Sequence, residues 1–175
     1  TWRWCAQLDY VYAYLSYFGY KLGEATMHGF WEEMDRLGKD RNPFRAGFLQ
    51  FVGVAETREE ALDLYTEPAL YFYERCLHVD ARYASPPGYM SEATIRARVK
   101  SQVVQAAAAS ATDSHAYGRP AFEEIVSKGY VIIGSPDEVA EQLREVAVNL
   151  NVGQMMLLLQ FGNMKKELVF HNTEM

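Results

Sequence analysis

Cysteine is nearly absent from this 175-residue chain: Cys5 and Cys76 are the whole complement. Their spacing is neither metal-type nor redox-type, so no disulfide framework or thiolate site organises the fold. Two reduced thiols fit a cytoplasmic protein. Histidine is sparse too, with His28, His78, His115 and His171 far apart in sequence. No carboxylate-rich loop accompanies them, so no metal is expected. An excess of positive charge is also missing. Lys plus Arg number 17 against 23 Asp plus Glu, a formal charge of −6, which argues against general affinity for nucleic acid or an anionic membrane. No apolar run approaches the ~18 residues of a membrane-spanning helix. The sequence contains no phosphate loop, no Gly-x-Gly-x-x-Gly turn and no Gly-x-Ser-x-Gly nucleophile turn. Nucleotide hydrolysis, Rossmann-type binding and hydrolase chemistry of that kind therefore have no support.

What is present is a globular composition, 49% hydrophobic and 23% charged, with a length that suits one domain over residues 1–175. Thr1 to Leu8 reads like the middle of a longer sequence, and a processed or truncated chain is expected. Asp9 to Leu15 sets Tyr10, Tyr12 and Tyr14 against Val11, Ala13 and Leu15. That is the period of a strand covered on both faces, the habit of parallel sheets. Met27, Phe30, Trp31, Met34 and Leu37 recur at helical spacing from Gly23 to Leu37, and Gly38 supplies a stop. Gly47 to Ala55 is a second apolar strand. Thr57-Arg58-Glu59-Glu60 is a capping-box sequence opening a helix expected to reach about Val79, with a kink or break at Pro68.

The stretch from Asp80 to Gly129 has weak core patterning and is expected to be an insertion or an active-site cover, with a helix from Glu92 to Ala111. Tyr130 to Ile133 is a short extended run. Ser135-Pro136-Asp137-Glu138 is a second capping box, and its helix carries Val139, Leu143, Val146, Ala147 and Leu150. Gly153 to Phe161 is the third apolar strand. Alternating strands and helices indicate an α/β fold with a parallel sheet. Three such strands leave exposed edges, which another chain or the rest of a larger protein must cover; an oligomer is expected.

Three segments, TWRWCAQLDYVYAYLSYFGY, GFLQFVGVAETREEALDLY and GYVIIGSPDEVAEQL followed by NVGQMMLLLQFGNM, together resemble the C-terminal half of a bacterial luciferase-like flavin-dependent monooxygenase. The resemblance implies the C-terminal portion of a (β/α)₈ barrel, a fold that usually needs ~200 residues or more. Asp9 to Leu15, Gly47 to Ala55 and Gly153 to Phe161 would be its sixth, seventh and eighth strands. Tyr130 to Ile133 would be an extended lead into a helix, and residues 80–129 would include a mobile active-site loop. The activity implied is insertion of oxygen into a small organic substrate with reduced FMN and O2, the reduced flavin coming from a separate reductase.

In such barrels the site lies at the C-terminal ends of the strands. The resemblance places Thr1 at the flavin phosphate, and the bland reading is a plain helix cap. It turns Tyr12, Tyr14 and Ser16 toward the barrel interior, where Tyr14 and Ser16 either bond the isoalloxazine or simply pack; Tyr12 reads as packing. Gln50 and Gln160 are polar residues within apolar strands, each a hydrogen-bond bracket or a pocket group, and Gln160 is the better candidate for the substrate pocket. The catalytic residues are unknown and would lie upstream of Thr1. Two rival readings remain: a non-catalytic flavin-binding or oligomeric scaffold fragment, and a deazaflavin-dependent hydride-transfer enzyme of the same barrel superfamily.

Overall fold

The capping sequences position the helices around the sheet. In the computed structural model, which describes residues 1–15, 17–77, 92, 96 and 121–175, the Thr57 hydroxyl accepts from the Glu60 N–H at 3.2 Å and starts α3 (Arg58–Tyr71). The Ser135 N–H and hydroxyl both donate to the Glu138 carboxylate, at 3.0 and 3.2 Å, with Pro136 at the first position of α5 (Pro136–Leu150). The other helices are α1 (Trp2–Leu8), α2 (Gly19–Arg36), α4 (Phe122–Ser127) and α6 (Lys166–Glu174). Helix α3 runs through Pro68, and the backbone widens into a π-turn at Phe72–Cys76. The disruption thus follows the proline by one turn. Proline removes the bond to the Leu64 carbonyl and crowds it, one turn upstream, so the expected break at Pro68 is absent and the π-turn is not its direct effect. The chain divides into two compact units, Thr1–Phe72 with Pro120–Met175, and Tyr73–Arg119. In the second unit Glu92 and Arg96 are helical and form an i,i+4 ion pair. Of the expected insertion at 80–129, residues 121–129 are described and carry α4, whose Ile125 is fully buried; the remainder of the expected 92–111 helix lies outside the described residues.

The strands of the first unit are β1 (Tyr12–Leu15), β2 (Ala46–Val54), β3 (Val131–Gly134) and β4 (Gln154–Leu158), all parallel to their neighbours. Gly47 pairs with both Ala13 and Gln154, and Phe51 with both Val131 and Leu158. A strand has two edges, so β4 takes one edge of β2 while β1 and then β3 share the other, end to end. Tyr130 to Ile133 is therefore more than a lead into a helix: residues 131–134 are hydrogen-bonded into the sheet, filling the edge that β1 leaves after Leu15.

Alternation assigns the two faces. Ala46, Phe48, Val52 and Val54 of β2 pack with Met27, Phe30, Trp31 and Met34 of α2 and with Val139, Val146 and Leu150 of α5. The Trp31 indole N–H donates to the Leu150 carbonyl at 3.0 Å and ties the two helices together. Among the described residues, the opposite face is covered only over its downstream half. There the Tyr65 ring of α3 lies over Gly53, at the place a Cβ would occupy, and its hydroxyl donates to the Val54 carbonyl at 2.8 Å. Both cysteines are free thiols. No described helix is long and apolar enough to cross a membrane.

Candidate functional site

Parallel strands bring their C-terminal ends to one rim. Leu15, Val54, Gly134 and Leu158 end the four strands there. Below that rim the upstream half of the second face carries Ala13 and Leu15 of β1, Gly47 and Leu49 of β2, and Met156 and Leu158 of β4, on the same side by register. Leu15 is 39% exposed and Met156 42% exposed, so among the described residues this apolar face is partly open. At the rim it meets an aromatic wall. The Phe51 ring lies 4.9 Å from Phe72, 6.0 Å from Phe161 and 6.3 Å from Tyr17, centroid to centroid, and Tyr65 stands 6.0 Å behind Phe161. Ring pairs at these separations attract beyond their area of contact.

The structure turns two sequence-predicted residues the other way. Tyr12 and Tyr14 pair in register with Ala46 and Phe48 and so face the helices. The Tyr12 ring stacks on Phe30 at 5.2 Å, and Tyr14 lies 6.0 Å from Phe48. Gly23 of α2 leaves the room: a Cβ there would stand 3.2 Å from the Tyr14 ring. The expectation that this side of the strand faces the interior is corrected. The reason is that tyrosine is amphipathic and neither set of alternating residues is polar, so periodicity separates two faces without saying which is which. Burial pushes the Tyr12 phenol up to about 12, with Tyr14 and Cys5 adding to it, as expected for a ring in the core.

Ser16 lies outside the described residues. Gln160 is exposed, two residues beyond the end of β4. Thr1 is the N-cap of α1 and makes no side-chain cap hydrogen bond. The Trp2 ring lies over Gly29 of α2, ten residues past Gly19. At 1.5 Å of rise per residue, that puts the Trp2 ring about 15 Å along α2 from Gly19. Thr1 on the α1 flank and Gln160 beyond β4 belong to opposite edges of β2, and the described residues do not bring them together.

Gln50 resolves as a bracket. It is 1% exposed, and its Nε2 donates to the carbonyls of Phe51, Gly129 and Tyr130 at 3.1–3.3 Å, fixing the chain that leads into β3. Sequence reasoning missed Asn172 of α6, which is 2% exposed. Its side-chain amide spans β2 and the end of β4, a placement that only the folded register reveals. Charge gathers at the other end of the sheet. Lys39 donates to the Ala6 and Gln7 carbonyls and, with Arg45, to Asp9, whose carboxyl is held below its usual range by those two hydrogen bonds. Glu33 accepts from Arg36 and Gln7, and these bonds, Arg36 first, bring its carboxyl down to about 2. No group of three metal-ligating side chains occurs among the described residues.

The sequence matches no family model and no curated protein. Solved structures do match. A Type II Baeyer–Villiger monooxygenase, the oxygenating constituent of 3,6-diketocamphane monooxygenase from the CAM plasmid of Pseudomonas putida in complex with FMN, aligns over 97% of this chain and 41% of its own at 17% identity and a TM-score of 0.60. The monooxygenase RslO1 from Streptomyces bottropensis aligns over 98% and 41% at 11% identity and 0.56. The apo form of MsnO8 aligns over 99% and 45% at 18% identity and 0.57. The chain thus spans less than half the length of each. Similarity at these identities is similarity of fold: the parallel α/β architecture described above is the one these three structures use over that part of their length.

Proposed function

We propose that this chain is part of a luciferase-like, flavin-dependent monooxygenase, in which further strands flank β1 and β4 and close a (β/α)₈ barrel around the open face. The observation that carries the reading is the half-covered sheet. All its strands run toward one rim, one face is packed under helices, and the other presents Ala13, Leu15, Leu49, Met156 and Leu158 with an aromatic wall at the top. Such a face suits the inside of a cavity that excludes water, the environment oxygen chemistry on a cofactor requires. The fold likeness to two monooxygenases, one of them holding FMN, supports the same reading.

The two ends of FMN ask for different partners, an apolar border for the ring and hydrogen-bond donors for the phosphate. The apolar face can border a flat ring system, and the Phe51–Phe72–Phe161 cluster, with Phe51 and Phe161 buried, backs its rim end. The cations Lys39, Arg41 and Arg45 are engaged with Asp9, Asp35 and Asp40 away from the rim. Thr1 is the phosphate contact proposed from this chain, through a hydroxyl free of the helix backbone. Ser16, which follows β1 in sequence, and Gln160, beyond β4, are the proposed polar contacts at the mouth, Gln160 on the substrate side. When bound, reduced FMN would supply the activation of O2. These residues would border the ring, exclude water and orient a small organic substrate, and a separate reductase would deliver the reduced flavin. The test is an FMN titration and turnover assay of the whole protein and of this chain alone. Tight binding and oxygenation by the whole protein, with an inert chain alone, is the expected result; a whole protein that binds no flavin would refute the reading.

A further inference from the structure

The hydrogen bonds of Asn172 have the pattern of a missing strand residue. Pairing of β4 with β2 stops at Leu158 opposite Phe51, yet β2 continues to Val54, and its Val52 and Val54 are buried. A parallel neighbour opposite Gly53 would donate its N–H to the Val52 carbonyl and accept from the Val54 N–H. The Asn172 side chain does both: Nδ2 donates to the Val52 carbonyl at 2.8 Å, and Oδ1 accepts from the Val54 N–H at 2.8 Å. The second proton of Nδ2 goes to the Leu159 carbonyl, also at 2.8 Å. One carboxamide from a helix thus extends the ladder by one residue and holds the first residue past β4. All the polar atoms of this buried amide are used, which makes the arrangement specific.

We infer that Asn172 is a positioning residue for the rim. It fixes where the chain leaves the sheet at Leu159, and through Leu159 it sets the placement of Gln160 at the mouth and of Phe161 against Phe51 and Tyr65. The link to function rests on the reading of that rim as the site. The position of the segment itself does not.

The two proton donors and one acceptor allow the role to be dissected. In Asn172→Asp the carboxylate keeps the acceptor for Val54 and loses both donors. In Asn172→Ala all three bonds go. Amide hydrogen exchange and ¹⁵N chemical shifts, read together on the whole protein, are the assay. The Ala variant is expected to lose protection at Val54 by about tenfold or more and to shift the Leu159, Gln160 and Phe161 resonances. The Asp variant is expected to shift those same three residues while Val54 stays protected. The Trp31 indole, on the helix side, should keep its exchange rate in both. FMN affinity is measured in parallel, and both variants are expected to weaken it relative to the wild type. Unchanged shifts at 159–161 in both variants would overturn the inference. Loss of protection at Trp31 in the Asp variant would also overturn it, because the role would then be general stability. A wild-type protein that binds no FMN, with the exchange and shift pattern as expected, would refute the function and leave the positioning role standing.

Discussion

Gly53→Ala tests whether the sheet and α3 meet as closely as the structure indicates. A Cβ at position 53 would stand 2.7 Å from the Tyr65 ring, against an ordinary contact of 3.4 Å or more. The ring must retreat by ~0.7 Å, or the strand must bend, in an interior packed as densely as a crystal. Tyr65 has little freedom to retreat: it is fully buried and its hydroxyl is bonded to Val54 at 2.8 Å. A retreat of that size stretches the bond to about 3.5 Å, where little of it survives. Overpacking of this kind costs about 1–3 kcal/mol, and losing the hydrogen bond adds about 0.5–1.5 kcal/mol. Urea denaturation followed by fluorescence of the buried Trp31 reads the sum. The decisive arm is the double variant. In a Tyr65→Ala background the methyl has room, and the Gly53→Ala penalty should fall below about 1 kcal/mol. An equal penalty in both backgrounds would show that the glycine serves the strand's own backbone, and the packing argument would fail.

Two other predictions concern the charged end of the sheet. Glu33 is 8% exposed and its carboxyl sits at about 2, mainly through Arg36. A depressed folded value stabilises the protein above the unfolded value near 4.5 and is lost as the pH falls toward 2. The melting temperature should drop across that window in the wild type and less steeply in Glu33→Gln; parallel curves would count against the assignment. Lys39→Met removes the ammonium that caps the α1 carbonyls of Ala6 and Gln7. It should cost about 1–2 kcal/mol and raise amide exchange in Trp2–Leu8 alone; a uniform rise across α2 would point to a wider collapse.

How much of this was legible in the sequence depends on whether local chemistry or register decides. Ser135-Pro136-Asp137-Glu138 and Thr57-Arg58-Glu59-Glu60 state their helix starts outright, because a cap is satisfied within four residues. The apolar runs around Phe48 and Leu157 named two parallel strands, although the second proved five residues long where nine were expected. The face of Tyr14 was not legible. Both alternating sets in β1 can be buried, and the deciding partner, Phe48, is 34 positions away. Asn172 gave no signal for the same reason: its partners are Val52, Val54 and Leu159, and a lone asparagine in an amphipathic tail looks like any exposed one. Gln50 was legible as a buried amide needing partners, and the fold chose the bracket.

The central claim is that the open face of the sheet, and not the helix-covered one, lines a flavin cavity. Methyl-labelled methionine reads both faces at once. Met156 lies on the open face beside Leu49, whereas Met27 and Met34 are sealed beneath the helices. On titrating FMN into the whole protein, the Met156 methyl resonance should move by ring-current shift with the same saturation as the flavin fluorescence, while Met27 and Met34 stay in place. Saturable flavin binding that leaves Met156 unmoved, or that moves Met27 and Met34 instead, would contradict it.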